Sequence, residues 1–347
     1  MFAPSVVGTA NALTGGWGDM GGGITYLFMH AIYEGLRRHL PISKAWRVVF
    51  VFPAAICIMM GIADLVFGTD TPQGDWLKRK TDAEVAPEAI KEANKEETEK
   101  DESLKGTDDI SVVLKEAPRE SDDEASIMDV KRDESMLMVL TGFWNVLSNP
   151  AMLVIVAAYG CSLGVELAIV NVIGNVFQTK FDLNPSTAAY IGSIFGLLNI
   201  FSRLTGGLFS DFMAHRLHLP GRILALFLSM LLEGAFLIGF GYGLVSLKVS
   251  IIVMVFSSFF VQHACGSTFA IVPFIDPVNN GKVMGIVGAG GNLGGLLFNL
   301  MFGRFGERYH TAFTCLGCIT LGVAMISGFG LRVQKKSIWD LFRKQHT

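Results

Sequence analysis

Apolar residues in this chain gather into long runs instead of alternating with polar ones at the periods of half-buried strands or helices. Eight runs, roughly 7 to 33, 46 to 68, 151 to 178, 187 to 209, 222 to 243, 249 to 275, 283 to 303 and 311 to 332, predict helices that cross a hydrocarbon core of about 30 Å. Between the second and third runs the pattern inverts. Residues 75 to 134 hold 20 acidic and 11 basic side chains and no aromatic after Trp76. Such a segment buries too little apolar surface to offset the entropy of ordering, so it reads as a disordered acidic linker. Within it, Ser121-Asp-Asp-Glu124 has the form of an acidic-directed phosphorylation site, which makes a regulatory kinase a candidate partner, although acidic linkers contain such strings by chance.

Composition supports a polytopic membrane protein: 51% of the 347 residues are hydrophobic, 26 are Phe, and the 17% that are charged are segregated. The first run follows no basic n-region and carries no small-residue cleavage site, so it reads as a span and not as a targeting peptide. An even number of spans puts the N-terminus, the linker and the C-terminal tail on one side. That side collects 19 of the Lys and Arg residues against 8 opposite, which makes it cytoplasmic, although the cluster from Arg37 to Arg47 runs against the rule. All five cysteines sit in apolar runs, where a thiol packs as a small hydrophobe, and Cys315-Leu-Gly-Cys318 has no second pair to make a metal site. There is no H-E-x-x-H and no Ser/His/Asp cluster. An enzyme is therefore not expected, nor a cofactor, metal or nucleic acid.

The stretch Thr14 to Thr25, TGGWGDMGGGIT, holds a literal G-x-G-x-x-G at Gly16 to Gly21. A dinucleotide-binding turn would need a preceding strand and a water-exposed crevice, and an apolar run offers neither. In a membrane helix, glycines one turn apart let a second backbone approach closely, and Gly18 and Gly22 form such a G-x-x-x-G face. Asp19 projects between them toward a partner or a cavity. The device recurs at Gly288 to Gly295. Superposing Trp17-Gly-Asp-Met-Gly-Gly22 on Gly290-Gly-Asn-Leu-Gly-Gly295 sets Asp19 on Asn292, an internal repeat of the kind that builds transporters around a midplane site.

Other polar residues in the spans have two readings each. Arg203 lies inside the fourth run, where a cation costs about 2.5 to 3.5 kcal/mol on the insertion scale; it either faces a cavity or snorkels toward Asp211. Its planar fork of donors suits a small oxyanion. Glu166 is a candidate proton carrier or a structural pair member. Phe269 and Tyr159 either stack on a planar anion or pack. Asn11, Asn171, Asn175 and Asn299 are expected to bond between helices, and His263 to be a satisfied core residue.

Gly8 to Gly23, GTANALTGGWGDMGGG, and Gly288 to Gly295, GAGGNLGG, resemble the two nitrate signatures of the nitrate/nitrite porter family within the major facilitator superfamily. Tyr159 to Leu167, Asn199 to Gly207 and Trp46-Arg47 are similar to that family too, and the acidic loop is similar to its fungal members. Gly207 to Asp211 with Gly221-Arg222 resembles the superfamily's cytoplasmic loop motif. The resemblance implies an all-α, polytopic major facilitator fold with about eight of its twelve membrane helices. Residues 1–70 would hold the last two helices of the N-terminal bundle, 71–140 the linker, 141–333 a six-helix C-terminal bundle and 334–347 a basic tail.

On this alignment the chain begins at the family's fifth helix, so that Met1 is expected to be an internal methionine of a longer protein or the start of a truncated one. It further implies proton-coupled nitrate and nitrite uptake in the plasma membrane, with Arg203 as substrate arginine and Asn292, Gly290, Gly291 and Gly18 in the signatures. Asp19 stands where the family has asparagine, and a carboxylate there repels an anion unless an arginine neutralises it or a proton occupies it. A nitrate/nitrite exchanger, another small-oxyanion carrier and a transport-inactive truncated membrane protein are the alternatives.

Overall fold

The computed structural model describes residues 6–68, 141–144, 146–277 and 279–343. The acidic linker, its Ser121 and the last four residues of the tail lie outside the described residues. The helices are α1 (Val7–Arg37), α2 (Ile42–Val49), α3 (Val51–Phe67), α4 (Pro150–Phe181), α5 (Pro185–Leu197), α6 (Asn199–Gly243), α7 (Leu247–Phe269), a 3-10 turn (Val272–Phe274), α8 (Asn280–Phe305), α9 (Tyr309–Gly330) and α10 (Asp340–Arg343). Chain contacts divide into two compact units. One holds residues 1–39 and 130–347, and the other holds residues 40–129, of which α2 and α3 are described.

Starts and stops are written locally. Asn149 caps α4 by accepting from the Ala151 amide at 3.0 Å with Pro150 at the first helical position, and Asn184 caps α5 at the Thr187 amide at 2.7 Å with Pro185 following. Helix α4 ends at Asp182 in the left-handed region at φ 49°. In α6, His218 sits at φ 57° and Pro220 follows, so the helix is two arms meeting at a kink.

Six stretches among the described residues are long and apolar enough to span a membrane, where eight were expected. The difference has two causes. Pro185–Gly243, at 59 residues far too long for one crossing, merges the fourth and fifth expected spans across the His218 kink. Helix α1 has the length, but its glycines, Asn11 and Asp19 make it less apolar than the others. It packs all the same along one face, through Gly8, Ala12, Gly16 and Gly23, against α5, α6 and α7.

Within the larger unit α6 lies against α7 and α9, and α8 runs along α4. Glycine sets the second spacing: a Cβ on Gly164 of α4 would stand 2.6 Å from the Gly294 carbonyl carbon and 2.7 Å from the Gly295 nitrogen. Backbones this close gain dispersion contact along the whole crossing, which replaces the hydrophobic drive that lipid does not supply. Asn171 donates to Asn299 at 3.3 Å and Asn175 to the Tyr309 hydroxyl at 2.9 Å, tying α4 to α8 and α9.

Candidate anion site

Four helices converge on Arg203. The side chain leaves the first arm of α6, is 3% exposed, and finds its partners on α1 and α4, while Gly266 of α7 packs against the Arg203 carbonyl. Its Nη1 pairs with Asp19 of α1 and stands 3.8 Å from Glu166 Oε2 of α4. Its Nη2 donates to the Tyr159 hydroxyl at 2.7 Å. Nε, also buried, has no partner among the described residues.

The edge of the guanidinium formed by Nε and Nη2 lies under Gly15 of α1. A Cβ there would stand 3.0 Å from Nε and 3.3 Å from Nη2, so any side chain at this position would press on that edge. At Gly16 the backbones themselves meet, with a would-be Cβ 2.8 Å from the Asn199 carbonyl oxygen. Gly15 and Gly16, one turn before Asp19, therefore bring α1 close enough for a short acidic side chain to reach a cation one helix away.

Glu166 is buried and receives two donors: Asn199 Nδ2 to Oε1, and the Cys265 thiol to Oε2 at 3.7 Å. Asn199 precedes Arg203 by four residues on α6 and so shares its face. The Phe269 ring packs edge-on against Tyr159 with centroids 4.6 Å apart, and Asn11 Nδ2 reaches the Phe269 carbonyl at 3.5 Å. The result is a cluster of one cation, two carboxylates, a phenol, an amide and a thiol, buried except on the Asp19 side, with Phe269 against the phenol.

Arg203, Asp19, Tyr159, Phe269 and Glu166 are thus brought together, and the signature glycines divide. Gly290 and Gly291 of α8 are buried against α4, where a Cβ at Gly291 would stand 2.7 Å from both Tyr159 Cδ1 and Leu163 Cδ2. Gly18, their counterpart on α1, has nothing within 4 Å of a would-be Cβ among the described residues. Asn292 is exposed and donates to its own helix at the Gly288 carbonyl, 2.9 Å away, so it does not join the Arg203 cluster. Asn199 and Cys265 were not singled out from sequence. The first had a legible signal in its spacing from Arg203, and the second had none.

Away from this cluster Asp211 holds the start of α1. Its carboxylate accepts from the Gly8 and Thr9 amides at 3.2 and 2.7 Å and from the Thr9 hydroxyl at 2.6 Å, while Arg222 pairs with it at 2.7 Å. Amides left open at a helix start are satisfied from another helix, with the negative charge where the helix dipole favours it.

Residues 1–299 match the sequence pattern of the Major Facilitator Superfamily. The chain belongs to that superfamily. Among curated proteins it is 34% identical to High affinity nitrate transporter 2.5 of Arabidopsis thaliana over 330 residues, 94% of this chain and 55% of that protein. It is 35% identical to Nitrate transporter 2.2 of Chlamydomonas reinhardtii over 295 residues, 85% of this chain and 48% of that one. With Nitrate/nitrite transporter NrtP of Picosynechococcus it shares 36% over 147 residues, 40% of this chain and 26% of that protein. The chain spans about half the length of the first two relatives.

Proposed function

We propose that this superfamily member works as a nitrate/nitrite porter, carrying a small planar oxyanion across the plasma membrane with protons by rocking of two helix bundles about a midplane site. In this reading residues 1–70 belong to one bundle and 141–333 to the other, the linker and tail are cytoplasmic, and no enzymatic step is involved. The observation that carries it is the buried guanidinium of Arg203, whose Nε donor has no partner among the described residues and whose fork edge faces Gly15 of α1. The names of the similar proteins point to the same anion.

Charge supplies the coupling. Arg203 brings one positive charge to Asp19 and Glu166, so an incoming monovalent anion adds to a site that already holds more carboxylates than cations. Burying that excess is costly unless a carboxylate takes up a proton. Anion binding and proton binding therefore favour one another, and by linkage each raises the affinity for the other by the same factor. Glu166 is the carboxylate assigned to the proton, because it lies beside the anion site and is buried.

The test is uptake of labelled nitrate and nitrite by cells that lack nitrate transport and express the protein, with and without an inward proton gradient. Accumulation that follows the gradient and disappears in Arg203→Ala is the expected result. Uptake indifferent to Arg203→Ala would remove the anion site. Uptake driven by internal nitrite and indifferent to pH would replace symport by exchange.

A further inference from the structure

Half of the 8 cations on the side opposite the acidic linker, Arg37, Arg38, Lys44 and Arg47, sit within one short stretch, and the Arg203 cluster uses none of them. Arg37 is the last residue of α1 and Arg38 caps it. Together with Glu34 they line a surface cavity of about 360 Å³. Glu34 is engaged elsewhere: it accepts from the Ser186 hydroxyl of α5 and lies 3.5 Å from His30 Nε2. Both arginines are exposed, and neither has a carboxylate within 4.0 Å among the described residues.

Register ties this pair to the Arg203 cluster. A helix turns by about 100° per residue, so Arg37 returns to the face of Asp19 after five whole turns, about 27 Å farther along α1. Tyr26 and His30 fall within about 20° of the same line. Both are covered: the Tyr26 hydroxyl donates to the Val170 carbonyl of α4 at 2.5 Å, and the His30 ring meets Tyr190 of α5 edge-on with centroids 6.2 Å apart. Nearby, a Cβ on Gly23 would stand 2.4 Å from the Leu197 nitrogen. Between Asp19 and the arginines α1 is therefore closed against α4 and α5, and the arginines stand beyond that contact.

Cations outside the cytoplasm oppose the charge bias that orients membrane helices, so a cluster there calls for a compensating use. Anionic lipids gather in the cytoplasmic leaflet, which leaves soluble anions as the partners of an outward-facing pair. Two guanidiniums against one carboxylate make the cavity net positive, and a positive cavity raises the local concentration of anions. We propose that Arg37 and Arg38 form an outer capture site for the transported monovalent anion, a first, weak stop in line with Asp19 and outside the closed contact of α1 with α4 and α5. The attraction is one of charge, so lysine serves there as well as arginine. This rests on the proposed nitrate reading and on this end of α1 facing outward, but the positive potential at the cavity is a separate physical claim.

Cysteine labelling tests that claim without nitrate. Gly35 is exposed with nothing within 4 Å of a would-be Cβ among the described residues, so Gly35→Cys is accommodated, and His39→Cys gives a second exposed position. The exposed Cys57 and Cys318 are first replaced by Ser. Intact cells are then treated from outside with membrane-impermeant methanethiosulfonate reagents, one anionic and one cationic. At low ionic strength, adding Arg37→Gln with Arg38→Gln should lower the ratio of anionic to cationic rates about tenfold, and high salt should shrink that change. An unchanged ratio would overturn the proposal. So would labelling that appears only after the cells are permeabilised, since this end of α1 would then face the cytoplasm.

The role in transport is read from the concentration dependence of labelled nitrate uptake. At low ionic strength the double Gln variant should raise KM about three- to tenfold while keeping the maximal rate, and impermeant salt should erase the difference. Arg37→Lys with Arg38→Lys should restore the wild-type KM. If the arginines served only the helix dipole, the Gln variant would melt earlier and its KM would not respond to salt. Equal KM in variant and wild type, both transporting, would overturn the capture site. A KM shift seen only in vesicles with anionic lipid on the outer face would assign the arginines to lipid headgroups and overturn it too. No uptake by wild type would instead refute the nitrate reading, leaving the reagent rates to decide the potential.

Discussion

Replacing Asp19 by Asn is the most discriminating perturbation of the proposed anion site. In the structure Asp19 occupies the Nη1 side of Arg203, where an incoming oxyanion must either displace it or share the guanidinium with it. Two unit charges about 4 Å apart interact by about 4 kcal/mol at an effective dielectric of about 20. Asp19 is 38% exposed at its side chain, so solvent screening reduces that to about 1 to 2 kcal/mol. With each 1.4 kcal/mol worth about a factor of ten, Asp19→Asn is expected to bind nitrate about 5- to 30-fold more tightly than wild type.

The substitution is nearly isosteric and keeps an oxygen able to accept from Nη1, while Tyr159 continues to hold Nη2. Folding should therefore survive. The assay is a nitrate titration of the solubilised protein by calorimetry, with chloride as a control for unspecific charge. Equal or weaker nitrate binding in Asp19→Asn would show that the carboxylate does not compete for Arg203, and would sink the electrostatic reading of the pair.

Four further outcomes are expected. Arg203→Lys keeps the charge but loses the fork, and forfeiting one hydrogen bond to a charged group should weaken nitrate binding by about 1.5 to 3 kcal/mol in the same titration. Tyr159→Phe removes the 2.7 Å bond to Nη2 and should slow uptake without abolishing it, checked by initial rates of labelled nitrate entry. Gly15→Ala places a methyl 3.0 Å from Nε and should lower affinity while leaving thermal stability nearly unchanged, measured by titration and by melting in detergent. Gly294→Ala should cost about 1 to 3 kcal/mol of stability, because its new methyl meets the Gly160 backbone; at Gly295 the neighbour is the movable Leu167 side chain, and Ala there should melt closer to wild type.

How far the sequence anticipates this structure depends on the range of the interaction. Apolar runs announce helices because each run satisfies its own backbone, and Asn149-Pro150 and Asn184-Pro185 mark helix starts within a few residues. Arg203 stands out as a cation deep in an apolar run, but its pairing with Asp19 joins residues 184 positions apart and depends on how α1 is rotated. The repeat linking Asp19 to Asn292 illustrates the limit. Both lie on helices in the same register, yet α8 turns Gly291, Gly294 and Gly295 toward α4. Side chains one residue on are rotated by about 100°, which directs Asn292 away from that contact. Glu233 of α6, an acid beside leucines, reads in sequence as an interruption, and only in three dimensions is it visible that the side chain is buried with no hydrogen-bond partner among the described residues.

On the proposed anion reading, the two acids that join α1 to α6 have separable roles. Asp19 reaches Arg203, and ten residues earlier Thr9 is held by Asp211, which lies eight residues after Arg203; the helices therefore run antiparallel here, and both ties fall on the arm of α6 before the His218 kink. An anion at Arg203 competes with only one of them. The tie at Asp211 is made from three donors of α1 and from Arg222, none of which carries anion-binding chemistry at Arg203. Anion entry alone should therefore leave α1 docked on the first arm, and separating the two requires breaking the Asp211 contacts about 12 Å away along α6. In Asp211→Asn, a cysteine placed at Ala10 should label faster while nitrate affinity stays within about twofold. Unchanged labelling together with lost affinity would mean that the two ties act as one.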